Sequence, residues 1–298
     1  MKNDKIALVT GATGFVGSHL VRRLITEGWE THIITRLSSR LKLLEDIFDK
    51  VIIHQHDGTT NSMINIVKEA NPEIVFHLAS LFLSQHTPED IESLVQSNIS
   101  FGVQLVEAIT SQGVTKLINA GTSWQHYNNE DYNPACLYAA TKQAFETILK
   151  FYRETTPLKV ITLKLFDTYG PDDPRPKIFN LLKKVAKDQK PLAMSPGEQL
   201  IDIVYIDDVI DAFMIAAEKL ISNRVEKHEE YEVSSGNPIR LKDLVAIYEK
   251  VIGKKLPIEW GGRPYRSREV MVPYNKGRLL PGWMPKILLE VGVRNLVK

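Results

Sequence analysis

Short apolar runs of strand length alternate along this chain with segments whose apolar residues recur every three or four positions. Ile6-Ala7-Leu8-Val9 gives way to a helical stretch through Leu24, and further runs fall at 30–35, 51–57, 73–80, 116–120 and 160–165. Near-continuous apolar runs belong to strands buried on both faces, and the helical segments between them supply the covering layers. One long amphipathic helix is predicted over 91–112, where Leu94, Val95, Ile99, Val103, Val106 and Ile109 share a face and Gly113 stops it, and Asn133-Pro134 opens a second. After 167 the pattern thins, with helices at 177–190, 209–221 and 241–251 among strands at 201–204 and Tyr231-Glu232-Val233, and a final packed helix and loop over 275–298. The chain is therefore read as α/β throughout: a parallel-sheet domain at 1–167 plus 200–222, and a smaller C-terminal lobe at 168–199 plus 223–298.

The first strand-to-helix junction is Thr10-Gly11-Ala12-Thr13-Gly14-Phe15-Val16-Gly17. Glycines at this spacing permit a tight turn, close approach of a pyrophosphate to the backbone, and close packing of helix on strand, while the helix's first N–H groups face an anion. An ordinary tight turn is the alternative. Strand, glycines and helix nevertheless come in the order dinucleotide binding requires, so the sheet is read as a Rossmann-type, doubly wound one. The end of the second strand decides which dinucleotide. An acid there would accept hydrogen bonds from the ribose of NAD, whereas this chain has Arg36, Ser38, Ser39 and Arg40, donors suited to a 2′-phosphate. NADPH is thus favoured, with NAD still possible. Asp57, ending the third run, is placed to meet the adenine amino group. His54 and His56 alternate on one strand face, and with no third ligand in sight they read as half-exposed strand residues rather than metal ligands.

With 43% hydrophobic residues among 298, the chain can bury a large core. A formal charge of +1 supplies no field for nucleic acid, so any phosphate affinity must come from local sites. Cys136 is the single cysteine, which excludes an internal disulfide and a Cys-x-x-Cys metal site. It reads as a small buried residue, not a nucleophile, in a chain of the reducing cytoplasm. No signal peptide or membrane-length apolar run is evident.

Tyr138 and Lys142 lie four apart on the helix that Asn133-Pro134 opens, and so project from one face. An ammonium beside a phenol favours the phenolate, so the pair predicts a tyrosine drawn down from its free pKa of about 10 toward neutrality. Such a phenol is a competent acid or base. Taken alone, the pair is equally a partly buried tyrosine near a surface lysine.

Its surroundings add weight. TGATGFVG at 10–17, HLAS at 77–80, Asn98, Thr122, Tyr138-x-x-x-Lys142, YGP at 169–171 and VYIDDV at 204–209 resemble, over essentially the whole chain, the extended short-chain dehydrogenase/reductases of the NAD-dependent epimerase/dehydratase type. The resemblance implies that Gly11, Thr13, Gly14, Phe15, Val16 and Gly17 bind the cofactor, together with Arg36, Ser39, Asp57, Gly58, Leu78, Ala79, Ser80, Asn98 and Leu165. It makes Tyr138 the acid or base, has Lys142 hold the nicotinamide ribose and tune the phenol, and has Thr122 orient the substrate oxygen, with Ser123 as fallback. Within that family, the modest length and the stretch from Thr122-Ser123-Trp124 to Lys142 resemble the nucleotide-linked 4-keto-6-deoxyhexose reductases, such as the CDP-abequose and CDP-paratose synthases. They imply NADPH-dependent reduction in the deoxysugar supply of surface polysaccharide, the lipopolysaccharide O-antigen. The alternative is a nucleotide-sugar 4-epimerase that retains its NAD.

Arg263, Arg266 and Arg268 offer guanidinium forks to a nucleotide diphosphate, and the resemblance selects Arg263. The chain departs from the family pattern at Tyr265-Arg266, Ile201-Asp202, Lys164 and Asp167, all on the substrate side. Dehydratase relatives place an acidic pair directly after the active-site Thr. Here Ser123 and Trp124 stand there, and no acid precedes Glu130, so dehydration lacks its catalyst. Asp207-Asp208 reads as a pair of first-turn acids, not a metal site. The apolar faces of 91–112 and 137–152 exceed what one sheet face covers, and helices of this family pair across a two-fold axis, so a homodimer is expected.

Overall fold

The apolar runs form β1 (Ile6–Thr10), β2 (Glu30–Arg36), β3 (Ile52–His56), β4 (Ile74–His77), β5 (Lys116–Thr122) and β6 (Lys159–Leu165) in the computed structural model, which describes residues 5–297. Residues 1–4 and Lys298, which the sequence division gives to the first domain and the final segment, lie outside the described residues. Beyond β6 the strands shorten to β7 (Asp167–Tyr169), β8 (Leu192–Met194), β9 (Leu200–Ile201) and β10 (Ile203–Tyr205). Then β11 (His228–Val233) returns to the large sheet, and β12 (Ile239–Arg240) and β13 (Ile258–Trp260) follow. The large sheet runs β11-β6-β5-β4-β1-β2-β3 with every pair parallel, a doubly wound order that reverses between β1 and β4. Three two-stranded sheets, β10-β7, β12-β9 and β13-β8, build the lobe.

Two strands correct the sequence reading. The lobe is expected to include all of 223–298, yet β11 pairs with β6 from His228 opposite Val160 to Val233 opposite Leu165. As the edge of the sheet it tolerates His and Glu on its open flank, so its first half carries no apolar signal. The single strand expected at 201–204 is two, broken at Asp202. That buried carboxylate accepts hydrogen bonds from Ser234 Oγ at 2.6 Å and the Ser235 N–H at 2.7 Å.

Helices α1 (Phe15–Thr26), α2 (Thr60–Ala70), α3 (Ile91–Val95), α4 (Phe101–Ser111), α5 (Leu137–Thr155), α6 (Ile178–Asp188), α7 (Ile206–Ile221), α8 (Leu241–Ile252) and α9 (Leu289–Val297) cover the sheet and fill the lobe. Leu20 and Leu24 of α1 and Phe213 and Ala216 of α7 join one core. Met63 of α2, Leu105 and Ile109 of α4, and Phe145 and Leu149 of α5 join the other. The predicted helix at 91–112 is α3 and α4 joined through a π-helical turn at 96–100, a widening that carries Asn98 inward. Helix α7 starts at Ile206, three residues before the predicted bound, with Asp207 and Asp208 in its first turn. Asp208 ties down the C-terminal segment: its carboxylate accepts from the Lys286 and Ile287 N–H groups at 2.9 and 3.0 Å, and its carbonyl accepts from Trp283 Nε1 at 2.8 Å. Much of the apolar surface expected to pair with a second copy is covered by the chain itself, leaving Ile91, Val95 and Phe151 exposed. No helix among the described residues is long and apolar enough to cross a membrane.

Candidate active site

Where the strand order reverses, at the C-terminal ends of β1 and β4, a cavity of about 1280 Å³ opens. Gly11 turns there at φ +73°, and a Cβ on it would lie 2.6 Å from the Ala79 nitrogen; a Cβ on Gly17 would lie 2.1 Å from the Gly11 oxygen. Both glycines are thus required by packing of the turn against the end of β4 and of α1 against the turn. Gly14 is the N-cap of α1 and offers no side chain, so the first-turn N–H groups are left for an anion. Gly11, Thr13 and Gly14 line the cavity, as do Leu78, Ala79 and Ser80 after β4. Arg36, Leu37, Ser38 and Ser39 line it after β2, and Asp57 and Gly58 after β3. These residues fit a dinucleotide, with its pyrophosphate on α1.

At the far end, the Arg36 N–H donates to Ser39 Oγ at 2.9 Å, while the guanidinium is exposed and forms no ion pair among the described residues. The Asp57 carboxylate accepts from the N–H and hydroxyl of Thr59, both at 2.8 Å, which holds it below the usual carboxylate range. Phe15, Val16 and Gly17 offer this wall only backbone N–H groups at the start of α1, and the side chains of Asn98 and Leu165 lie elsewhere. Phe15 is buried beneath the Arg175 guanidinium, 4.7 Å from its ring centre, because it points into the core from α1. Val16 packs against the core, and Gly17 is spent on the helix-to-turn contact. Leu165 packs on the core at the end of β6. The Asn98 amide is consumed within the protein: it accepts from the Leu81 N–H at 2.7 Å and donates to the Leu81 carbonyl and Thr141 Oγ1, both at 3.0 Å. His54 and His56 are buried, not half-exposed, because α2 and α4 cover their face; His54 Nε2 meets His32 Nδ1 at 2.8 Å, and His56 Nε2 meets Gln104 Oε1 at 3.3 Å.

Tyr138, at the start of α5, has the Ser80 and Thr122 side chains beside its hydroxyl, so the segment after β4, the end of β5 and α5 converge on one phenol. Its pKa contradicts the sequence expectation. Burial pushes the phenol up to about 12, and burial also draws the fully enclosed Lys142 down to about 8. Spacing on a helix fixes which face two side chains share but says nothing of their desolvation. At neutral pH the tyrosine is therefore a phenol with its proton in place, the form an acid needs. Thr122 Oγ1 accepts from the Trp124 N–H at 3.3 Å, and the Thr122 N–H donates to Gln125 Oε1 at 3.2 Å.

Behind this pair lies a support that sequence reasoning missed. Gln125 Nε2 donates to Glu146 Oε2 at 2.9 Å and Gln143 Oε1 at 2.6 Å, and Lys164 Nζ donates to the same Glu146 oxygen at 2.9 Å. Glu146 follows Lys142 by four on α5, which was the available signal. On the substrate side a second cavity, of about 610 Å³, is lined by Trp124, Asn133, Cys136, Arg266 and Arg268 among others. Arg263 does not line it: the side chain is exposed and its N–H is held by the Met194 carbonyl at 3.2 Å beside β8. Arg266 takes the wall position, paired with Glu269 at 2.6 Å. Cys136, expected to be buried, is half-buried on this wall as the N-cap of α5. Ser123 is half-buried directly after Thr122. No group of three or more His, Cys, Asp or Glu side chains able to hold a metal occurs among the described residues.

The sequence profile of the NAD dependent epimerase/dehydratase family matches residues 7–233. CDP-abequose synthase of Salmonella muenchen is 27% identical over 299 residues, covering 99% of this chain and 97% of that enzyme. UDP-glucose 4-epimerase of Mycolicibacterium smegmatis is 28% identical over 312 residues, 98% and 97% of the two chains. The crystal structure of UDP-glucose 4-epimerase from Thermus thermophilus, a complex with NAD, superposes with a TM-score of 0.82 at 25% identity and covers 98% of this chain and 97% of its own. A dinucleotide cavity on a doubly wound sheet, a Thr–Tyr–Lys centre beside it and a profile match spanning both lead to one assignment: the chain belongs to the NAD dependent epimerase/dehydratase family, as an NAD(P)-dependent enzyme of the extended short-chain dehydrogenase/reductase type.

Proposed function

We propose that this enzyme reduces the C4 keto group of a nucleotide-linked 4-keto-6-deoxyhexose with NADPH. The observation that carries the reading is the far end of the cofactor cavity. Arg36, free of any ion pair among the described residues, stands there with Ser38 and Ser39, and β2 ends in no acid to receive the ribose of NAD. A 2′-phosphate marks the dinucleotide that is exchanged at every turnover, which is what net reduction requires. The dinucleotide supplies the hydride. Tyr138, kept neutral by its burial, gives its proton to the substrate oxygen as the carbonyl becomes an alcohol. Thr122 Oγ1 holds that oxygen in place, and the Lys142 ammonium stabilises the phenolate left behind. Arg266 is the substrate-side cation best placed for the nucleotide diphosphate, in the position first given to Arg263.

The likeness to CDP-abequose synthase over 99% of the chain supports this reading, and with it a place in deoxysugar supply in the cytoplasm. A second reading, 4-epimerisation with retained NAD by the same three residues, is supported by the likeness to UDP-glucose 4-epimerases, one of them solved with NAD. The exposed Ile91, Val95 and Phe151 are proposed to be covered by a second copy of the chain. The test is to incubate purified enzyme with NADPH and a panel of nucleotide 4-keto-6-deoxy sugars. Stoichiometric NADPH oxidation is expected, whereas an epimer formed with none consumed would return the second reading. Arg36→Asp should weaken NADPH binding by about 1.5–3 kcal/mol and leave NADH nearly unaffected, and an equal loss for both would sink the NADP assignment.

A further inference from the structure

Phe82 and Trp124 stand beside the catalytic tyrosine with no part in the chemistry above. The Phe82 ring meets Tyr138 edge-to-face at 5.0 Å and Trp124 edge-to-face at 5.4 Å. Three rings thus form one apolar wall running from the phenol into the 610 Å³ cavity that Trp124 lines. Each outlying ring carries a cation over one face, Lys177 Nζ at 4.3 Å from the Phe82 centre and the Arg266 guanidinium at 5.3 Å from that of Trp124. Both cations already have acids, Lys177 on Asp167 at 2.9 Å and Arg266 on Glu269 at 2.6 Å. Phe82 is also 38% exposed although it leans on a buried tyrosine, so it presents apolar area that a substrate held by Tyr138 would cover.

Resting on the reductive reading of the site, we propose that Phe82 and Trp124 determine specificity by receiving the C6 methyl group of a 6-deoxy sugar and disfavouring a hydroxymethyl or carboxylate at that position. Tyr138 and Thr122 fix the oxygen on C4, which leaves the substituents of C3 and C5 to meet the wall. In a 6-deoxyhexose the C3 substituent is a hydroxyl and the C5 substituent a methyl, and only the methyl matches aromatic surface. Laid against the two rings, a hydroxyl at C6 would lose its water without gaining a comparable partner there, since the rings accept weakly and the two cations over them are engaged. A carboxylate would have to displace Asp167 or Glu269 from those cations. The departures from family pattern at Asp167 and Tyr265-Arg266 therefore act together here: Lys177 is taken by Asp167, and Arg266 is shared between Glu269 and the nucleotide diphosphate, so neither is left for a group on C6.

The test uses calorimetric titration of the whole enzyme, with NADP⁺ present, against two nucleotide sugars that differ only in methyl or hydroxymethyl at C6. Wild type should favour the methyl sugar by roughly 10–100-fold, the range over which an apolar pocket rejects an added hydroxyl. Trp124→Ser should narrow that ratio to about threefold, and Phe82→Ala serves as the second variant should the first misfold. Equal affinities in wild type, or a ratio that both folded variants leave unchanged, would overturn the proposal. NADPH oxidation measured on the matching 4-keto sugar separates the two readings. Methyl preference without hydride transfer supports the wall and sinks the reductase; hydride transfer without methyl preference does the reverse.

Discussion

At the cofactor end the fit is made by backbone: Gly11 and Gly17 have no room for a methyl group, and the anion site is a row of helix N–H groups that no side chain caps. Across the cleft the fit is made by side chains, with Phe82 and Trp124 delivered by the segments that follow β4 and β5, Lys177 by the N-cap of α6 and Arg266 by the loop after β13. Backbone fit of this kind cannot be altered without moving a strand against a helix. Side-chain fit can be exchanged one residue at a time. The same fold is thereby able to keep one cofactor class while changing the sugar, and the two ends should respond to mutation in different currencies, stability on one side and substrate affinity on the other.

The strongest perturbation lies on the seam between the two ends. Tyr138→Phe removes the phenol proton beside Thr122 and should lower turnover by about 10²- to 10⁴-fold with NADPH affinity nearly intact. Rapid-mixing fluorescence and steady-state rates would show it, and unchanged turnover would take the acid role from Tyr138. Next comes the cofactor floor. Gly17→Ala places a methyl group 2.1 Å from the Gly11 oxygen, so α1 must shift and stability should fall by about 3 kcal/mol, with dinucleotide affinity falling alongside. A variant with wild-type urea midpoint and wild-type affinity would break the claim that this end is limited by backbone. The smallest stability effect belongs to the lobe: Arg266→Ala leaves the largely enclosed Glu269 carboxylate without its partner and should cost about 1–2 kcal/mol in unfolding, while KM for the nucleotide sugar rises. Destabilisation comparable to that of Gly17→Ala would erase the distinction.

What could be read from sequence follows the same division. Gly11, Thr13 and Gly14 are legible because a turn's needs are local and glycine is the residue that meets them. Tyr138 and Lys142 are legible as a face because four residues make about one helical turn. The direction of the tyrosine's pKa was not, since the burial that raises it depends on packing against segments distant in the chain, such as the one that brings Phe82 from 56 positions upstream. Motif position alone selects Arg263 over Arg266, and only the turn through 261–268 decides which guanidinium faces the cavity. The strand β11 escapes assignment to the sheet because an edge strand is released from the apolar pattern by which buried strands announce themselves.

The tether at Asp208 bears on how the chain acquires its shape during synthesis. The helix that carries it packs on the central sheet, yet among the described residues its carboxylate receives its donors from Lys286 and Ile287, and the sheet's last strand arrives at 228–233. A chain emerging in order from the ribosome can assemble six strands early, but it holds an unsatisfied acid and an open sheet edge until the lobe has been made. Contacts spanning about 80 residues close this tether, a long loop closure that the turn at Gly11 and Gly17 does not require.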